Sequence, residues 1–317
     1  MKYFLQSKKT FLYPLILLFI FIRPGHSSEN IIKLIQIKEG VWFYNPTNEQ
    51  PNKKNQGLIA NLGVIIGKDK ILVVDSGSSR ENAKKFISEI RKISQKPIDT
   101  LVITHRHFDH SFGINPFIDL NCRIIFDEKE FSYFSKEGPK IKKMLTKAIG
   151  LEENSIDFKK IKKEDIFFLK NQIIIDLGER EVLIKNIGEA HTSGDIIVFD
   201  YKTKTYFGGD FVFRGRAAAF TDANIKKWKQ KIFTQLDKSW EFLVPGHGSL
   251  MFNTSELKDT TSWLKFIDKK IIDAIQQGDM ISEILNHPIP KDIEHLSLIK
   301  ETMRQGLRKQ LNKYNLK

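Results

Sequence analysis

Short apolar runs recur along this chain, and most of them end in Gly, His or Asp. Leu101–Ile103, Val182–Ile187, Ile196–Phe199, Tyr206–Phe207 and Phe242–Val244 concentrate β-branched and aromatic residues, which predicts buried strands. Ile173–Asp176 and Val182–Ile187 flank Gly178-Glu179-Arg180, a hairpin signal. Helical spacing takes over in Glu81–Ile93, predicting a first outer helix. Lys136–Lys163 reads as an inserted amphipathic helix and loop whose apolar stripe is Ile141, Met144, Leu145 and Ile149. Thr254–Gln277 and Asp292–Tyr314 predict two further helices, with Pro288–Pro290 a turn between them rather than a domain boundary. No repeat, low-complexity tract or phosphate-cradling Gly-rich loop interrupts this pattern.

The first 27 residues differ in kind. Lys2, Lys8 and Lys9 precede the apolar run Phe11–Ile22, and Gly25-His26-Ser27-Ser28 follows it. A basic start, a short apolar centre and small exit residues make a secretory signal peptide, so a periplasmic or secreted location is expected. An uncleaved anchor is the alternative, since Arg23 and His26 disturb the cleavage region. The expected organisation is therefore a signal over 1–27 and one α/β domain over 28–317, with a core at 31–250 and a helical extension at 254–317. Cys122 is the only cysteine, which rules out an intrachain disulfide and suits a small buried side chain at a strand start. The formal charge of +13 falls to +9 without residues 1–27, which carry four basic residues and no acid. That charge is spread through the chain, so a small-molecule substrate is expected and nucleic acid is not. The Lys-rich 136–163 stretch is the exception, read as a solvated helix face or, alternatively, a lid that steers an acidic substrate.

The chemistry concentrates where apolar runs end. Thr104-His105-Arg106-His107-Phe108-Asp109-His110 follows the strand Leu101–Ile103 and holds three of the eight histidines. Imidazole nitrogens with a carboxylate suit Zn²⁺ or a similar borderline metal. In an extended loop, His105, His107 and Asp109 would face one side and His110 the other, enough donors for two metals. His191, Asp210 in Gly208-Gly209-Asp210, and His247 in Gly246-His247-Gly248 each follow another predicted strand. His287 and His295 lie outside any such motif.

The order His-x-His-x-Asp-His, His, Gly-Asp and Gly-His-Gly resembles the metallo-β-lactamase-fold hydrolases, over roughly Ile31–Leu250. The resemblance implies a four-layer αββα sandwich with two mixed sheets, its metals at one sheet edge, and here with C-terminal helices appended. It implies that His105, His107 and His191 hold one zinc and Asp109, His110 and His247 a second, with Asp210 bridging. Where Asp210 stands, true β-lactamases usually carry Cys or Ser. Asn61–Gly67 and Val73–Gly77 look like the paired N-terminal strands of that fold. Together with Pro97–Asn115, Gly209–Phe213, Asp222 and Trp228, they are similar to the periplasmic quinoprotein relay system zinc metallohydrolases, a sulfur-oxidation-like subgroup. Phe108 departs from the Pro of many relatives.

A binuclear site of this kind lowers the pKa of a shared water towards about 7 and turns it into the nucleophile. Asp109 is then the expected catalytic residue, orienting that water and passing its proton to the leaving group. Asp75 and Asp195 are candidate partners that fix imidazole tautomers. Arg214 and Arg216 could clamp an anionic substrate or be solvated surface arginines. Phe211, Phe213 and Phe220 could wall a pocket or fill the core, with core favoured for Phe211. The expected activity is hydrolysis of an ester, thioester, lactone, lactam or similar bond. The alternatives are a mononuclear iron persulfide dioxygenase using only His105, His191 and Asp210, a β-lactamase, or a non-catalytic metal-stabilised binding protein.

Overall fold

The computed structural model describes residues 32–236 and 239–315, so the expected signal at 1–27 lies outside the described residues. Its first sheet takes seven strands in chain order: β1 (Leu34–Lys38), β2 (Val41–Tyr44), β3 (Leu62–Ile66), β4 (Ile71–Val74), β5 (Ile98–Val102), β6 (Arg123–Phe126) and β7 (Ile166–Phe168). Neighbours are antiparallel through β4 and parallel from β4 to β7. The second sheet has β8 (Gln172–Asp176), β9 (Glu181–Gly188), β10 (Asp195–Asp200), β11 (Thr205–Phe213) and β12 (Phe242–His247). Its order is β12-β11-β10-β9-β8, antiparallel except where β11 pairs with β12. The helices are α1 (Arg80–Ile93), α2 (Phe108–Ser111), α3 (Asn115–Asp119), α4 (Glu128–Ile149), α5 (Ile225–Lys231), α6 (Lys258–Gln277), α7 (Ile281–Ile284) and α8 (Ile299–Asn315).

Strands buried on both faces read as unbroken apolar runs because each alternate residue meets a different layer. In β4, Leu72 and Val74 point to the other sheet, where with Ile65, Val102 and Ile125 they meet Val182, Ile184, Ile196, Val198 and Phe207. Ile71 and Val73 point outward, with Val64, Leu101 and Ile124, onto Ala83, Phe86 and Ile90 of α1 and Phe131 and Phe134 of α4. On the far side, Ile197, Phe199 and Phe211 pack against Trp228 of α5, Trp263, Leu264 and Ile267 of α6, and Met303 and Leu307 of α8. The result is the four-layer αββα sandwich with two mixed sheets and appended C-terminal helices. Cys122 is buried just before β6. Among the described residues no helix is long and apolar enough to cross a membrane.

Two expected elements differ. The helix expected within Lys136–Lys163 begins at Glu128, capped by Asp127, whose carboxylate accepts from the Lys129 and Glu130 amides. Its buried stripe is Phe131, Phe134, Leu145 and Ile149, while Met144 is 60% exposed. α4 therefore belongs to the outer helical layer. The helix expected from Asp292 begins only at Ile299, because Ser297 pairs with 215–217 as a short parallel bridge. Its amide donates to Gly215 O, and its carbonyl accepts from the Ala217 amide, both at 3.0 Å. Those tertiary bonds outweigh the local helical pattern.

Candidate metal centre

The site lies at the sheet edge where β5 and β12 end, beside Asp210 within β11 and the loop between β9 and β10. Glycines make that convergence possible. Gly209 sits at φ +50, and a Cβ there would strike Thr104; a Cβ on Gly246 would overlap the Asp210 carboxylate. These two contacts explain the glycines beside Asp210 and His247.

Seven side chains converge as two groups. In the first, His107 Nδ1 lies 3.0 Å from both His105 Nε2 and His191 Nε2. Asp210 Oδ2 lies 3.3 Å from His191 Nε2 and 3.7 Å from His105 Nε2. In the second, Asp109 Oδ2 lies 3.4 Å from His247 Nε2 and 3.7 Å from His110 Nε2. Asp210 Oδ1 faces this second group, 3.1 Å from His110 Nε2 and 3.3 Å from His247 Nε2. Asp210 thus turns one oxygen to each group. Each group could hold a metal ion.

The predicted donors are all present, but the expected local geometry was wrong. Residues 108–111 are a helical turn, not extended chain. A helical turn points adjacent Asp109 and His110 into the same group, whereas an extended strand would separate them.

Two observations fit this donor set to cations. His110 Nε2 and Asp210 Oδ1 are buried without a hydrogen-bond partner, and buried polar atoms are normally paired. Burial also holds His105 well below, and His191 down to about 3 from, the usual imidazole value, leaving bare nitrogen lone pairs. His110 goes the other way: burial is outweighed by Asp210, Asp75 and Asp109, which hold its proton well above the usual range. Asp109 is likewise buried, yet His110 and His247 pull its carboxyl down to about 2.

The far nitrogen of each imidazole is anchored. Asp75 Oδ2 accepts from His110 Nδ1 at 2.7 Å, and the same carboxylate accepts from Thr104 N and Oγ1. Asp75 adopts φ +62, a strained setting for a residue with a Cβ. His247 Nδ1 donates to Ile59 O at 2.8 Å and His191 Nδ1 to Ala219 O at 2.9 Å. His107 Nε2 lies 3.0 Å from Asp222 Oδ2. Asp195 does not serve an imidazole; its carboxylate accepts from Thr192 N and Oγ1 and so shapes the turn after His191. Burial pushes its carboxyl up to about 7.

Arg214 pairs with Glu256 and donates to Leu250 O. Arg216 is buried behind His247, its Nη1 3.1 Å from Nδ1 of that ring, and its Nε has no partner. Phe213 stacks on His247 at a centroid distance of 5.2 Å, while Phe211 and Phe220 fill the outer core.

One residue at the centre escaped sequence reasoning. Glu130, fully buried in the first turn of α4, accepts from the Arg106 amide and guanidinium and from the Ser193 amide and hydroxyl. Arg106 also pairs with Asp222 at 2.7 Å. The loops carrying His105, His107 and His191 are therefore tied by one carboxylate. Asp127, which caps α4 three residues before Glu130, is the one sequence signal that could have placed it at a helix start.

Known proteins are similar to this chain to differing extents. The chain is 22% identical over 221 residues to a metallo-beta-lactamase type 2 of Elizabethkingia meningoseptica, covering 68% of this chain and 78% of that protein. A 55-residue stretch is 40% identical to a linear primary-alkylsulfatase of a Pseudomonas species, covering 17% of this chain and only 10% of that relative. The solved metallo-beta-lactamase from Pontibacter korlensis has the same fold, with a TM-score of 0.57 at 18% identity over 74% of this chain and 99% of that one. Residues 56–272, which carry all seven donors, match the model of one family. The chain belongs to the metallo-beta-lactamase superfamily.

Proposed function

We propose that the chain is an exported, binuclear zinc-dependent hydrolase acting on an ester, thioester, lactone, lactam or similar bond of a small molecule. The quinoprotein relay system metallohydrolases are the proposed subgroup. The observation that carries the binuclear reading is Asp210, whose two oxygens face two separate donor groups. His105, His107 and His191 would hold the first zinc and Asp109, His110 and His247 the second, with Asp210 offering one oxygen to each group. A single-iron dioxygenase would leave Asp109, His110 and His247 converging without a purpose.

When bound, the two cations supply Lewis acidity that brings water's ionisation towards neutral pH and polarises the oxygen that gains charge. The protein's own groups do the rest. Asp109 accepts a hydrogen bond from the attacking water and returns the proton to the leaving group. Asp75, Ile59 O and Ala219 O fix imidazole tautomers so that Nε2 of His110, His247 and His191 stays bare. Asp222 does the same for Nδ1 of His107. Arg216, buried beside the second group, offsets the negative charge of Asp109 and Asp210.

Elemental analysis of the purified chain, followed by ester, thioester, lactone and lactam assays with and without chelator, tests the proposal. About two zinc per chain and hydrolysis lost to chelator are expected. One iron per chain, or full zinc occupancy without turnover on any panel, overturns it.

A further inference from the structure

The loop between β11 and α5 holds two of the three imidazoles of the first donor group. Ala219 O accepts from His191 Nδ1, and Asp222 Oδ2 receives both His107 Nε2 and the Arg106 guanidinium. What holds this loop in turn is α8, which lies beyond residue 272, where the family match ends. Gln310, 4% exposed, donates from Nε2 to Phe220 O at 2.6 Å and to Ala223 O at 3.0 Å. Lys309 pairs with Asp222 Oδ1, the oxygen left over by His107 and Arg106. Gly306 gives the Phe220 ring its seat, and a Cβ there would overlap the ring carbons. Three residues of one helix thus contact Asp222 and its neighbours Phe220 and Ala223.

The second group is held differently. Its partners Asp75 and Ile59 O come from loops of the first sheet, next to β4 and β3.

We infer that α8 is a positioning strap for one half of the metal centre: through Gln310, Lys309 and Gly306 it sets Asp222, and through Asp222 it sets how tightly the His105–His107–His191 group holds its cation. Lys309 and Gln310 are positioning residues that touch no donor nitrogen themselves. The inference rests on the metal-centre reading above. The buried Gln310 contributes most, because an exposed Lys–Asp pair contributes little alone, whereas removing Gln310 strips carbonyls of donors in a dry contact.

The test is Co²⁺ titration of the metal-depleted full chain against a competing chelator, followed by visible absorption. Parent, Gln310→Leu, Lys309→Met, Lys309→Arg and Asp222→Asn are compared. Asp222→Asn identifies the first-half step, since losing an imidazole's outer partner weakens metal binding about 10–100-fold. Gln310→Leu should weaken that same step by roughly tenfold, on the same scale, and leave the other step unchanged. Lys309→Met should weaken it less, and Lys309→Arg should restore it. Lys309 is half exposed, so its variants report even if Gln310→Leu does not accumulate. Both steps unchanged in Gln310→Leu and Lys309→Met, or both weakened equally, overturns the strap. No Co²⁺ uptake by the parent overturns the metal centre itself.

Discussion

Glu130→Ala should lower both the stability of the chain and the metal affinity of the first donor group. The Glu130 side chain is fully buried and accepts five hydrogen bonds, three from Arg106 and two from Ser193. Breaking a buried ion pair from one side costs about 3–5 kcal/mol, because the surviving charge stays desolvated. Arg106 keeps Asp222 and is 14% exposed, which places that part near the lower end. The Ser193 amide, stranded without an acceptor, adds about 1 kcal/mol or more. The sum is about 4 kcal/mol, or roughly 6 °C in Tm for a chain of this size. Glu130→Gln should lose less, about 2 kcal/mol, since its amide must face either Arg106 or Ser193 with a donor. Denaturant unfolding of the metal-depleted parent and variants measures the stability, and Co²⁺ titration measures the first-half affinity. A Glu130→Ala protein within 1 kcal/mol of the parent, binding Co²⁺ as tightly, would refute the claim that this carboxylate ties the two ligand loops together.

The remaining expectations concern the second half and the sheet interface. Asp75→Asn should weaken second-half metal binding about 10–100-fold, because its amide cannot accept from Thr104 and hold the His110 tautomer together; Co²⁺ titration reads this, and unchanged affinity would discard the role. His110 keeps its proton well above the usual imidazole range when no cation competes. Loading that half should therefore expel a proton, and its affinity should fall about tenfold per pH unit below His110's pKa; calorimetry in buffers of different ionisation heat counts the protons. Gly63→Ala drives a Cβ against the edge of the Phe207 ring across the sheet interface. It should cost about 1–3 kcal/mol by overpacking, and an unchanged unfolding midpoint would show that the interface yields more easily than its packing implies.

The fold was legible because strands buried on both faces announce themselves as apolar runs, and every donor but Asp210, which lies within β11, stands at or beyond a strand end. Leu101–Ile103, Val182–Ile187 and Ile196–Phe199 fall in or against the observed strands β5, β9 and β10. The same rule failed where a tertiary contact outweighed local preference, as at Ser297, whose bridge to Gly215 and Ala217 keeps residues before Ile299 out of α8. It also misjudged the short span 108–111. A strand-exit loop and a helical turn carry the same residues there, yet they aim Asp109 in opposite directions.

Of the layer that holds the donors, Asp75 was legible as an imidazole partner and Glu130 was not. Histidine and aspartate beside glycine carry a recognisable spacing, since metal chemistry demands particular atoms from particular loops. A supporting carboxylate has no such spacing. Glu130 lies 24 residues from Arg106 and 63 from Ser193, and Asp222 lies 115 from His107. Glu130 also looks like any acid in the first turn of a helix, where the helix dipole alone would favour it. Burial distinguishes it from Glu128, its neighbour on the same turn, whose side chain is 61% exposed and pairs with Lys163. Two residues along one helical turn, one facing water and one sealed between two ligand loops, differ only in which face α4 presents to the sheet. That face is set by Phe131 and Phe134, so the apolar stripe of an outer helix decides which of its acids reaches the metal centre.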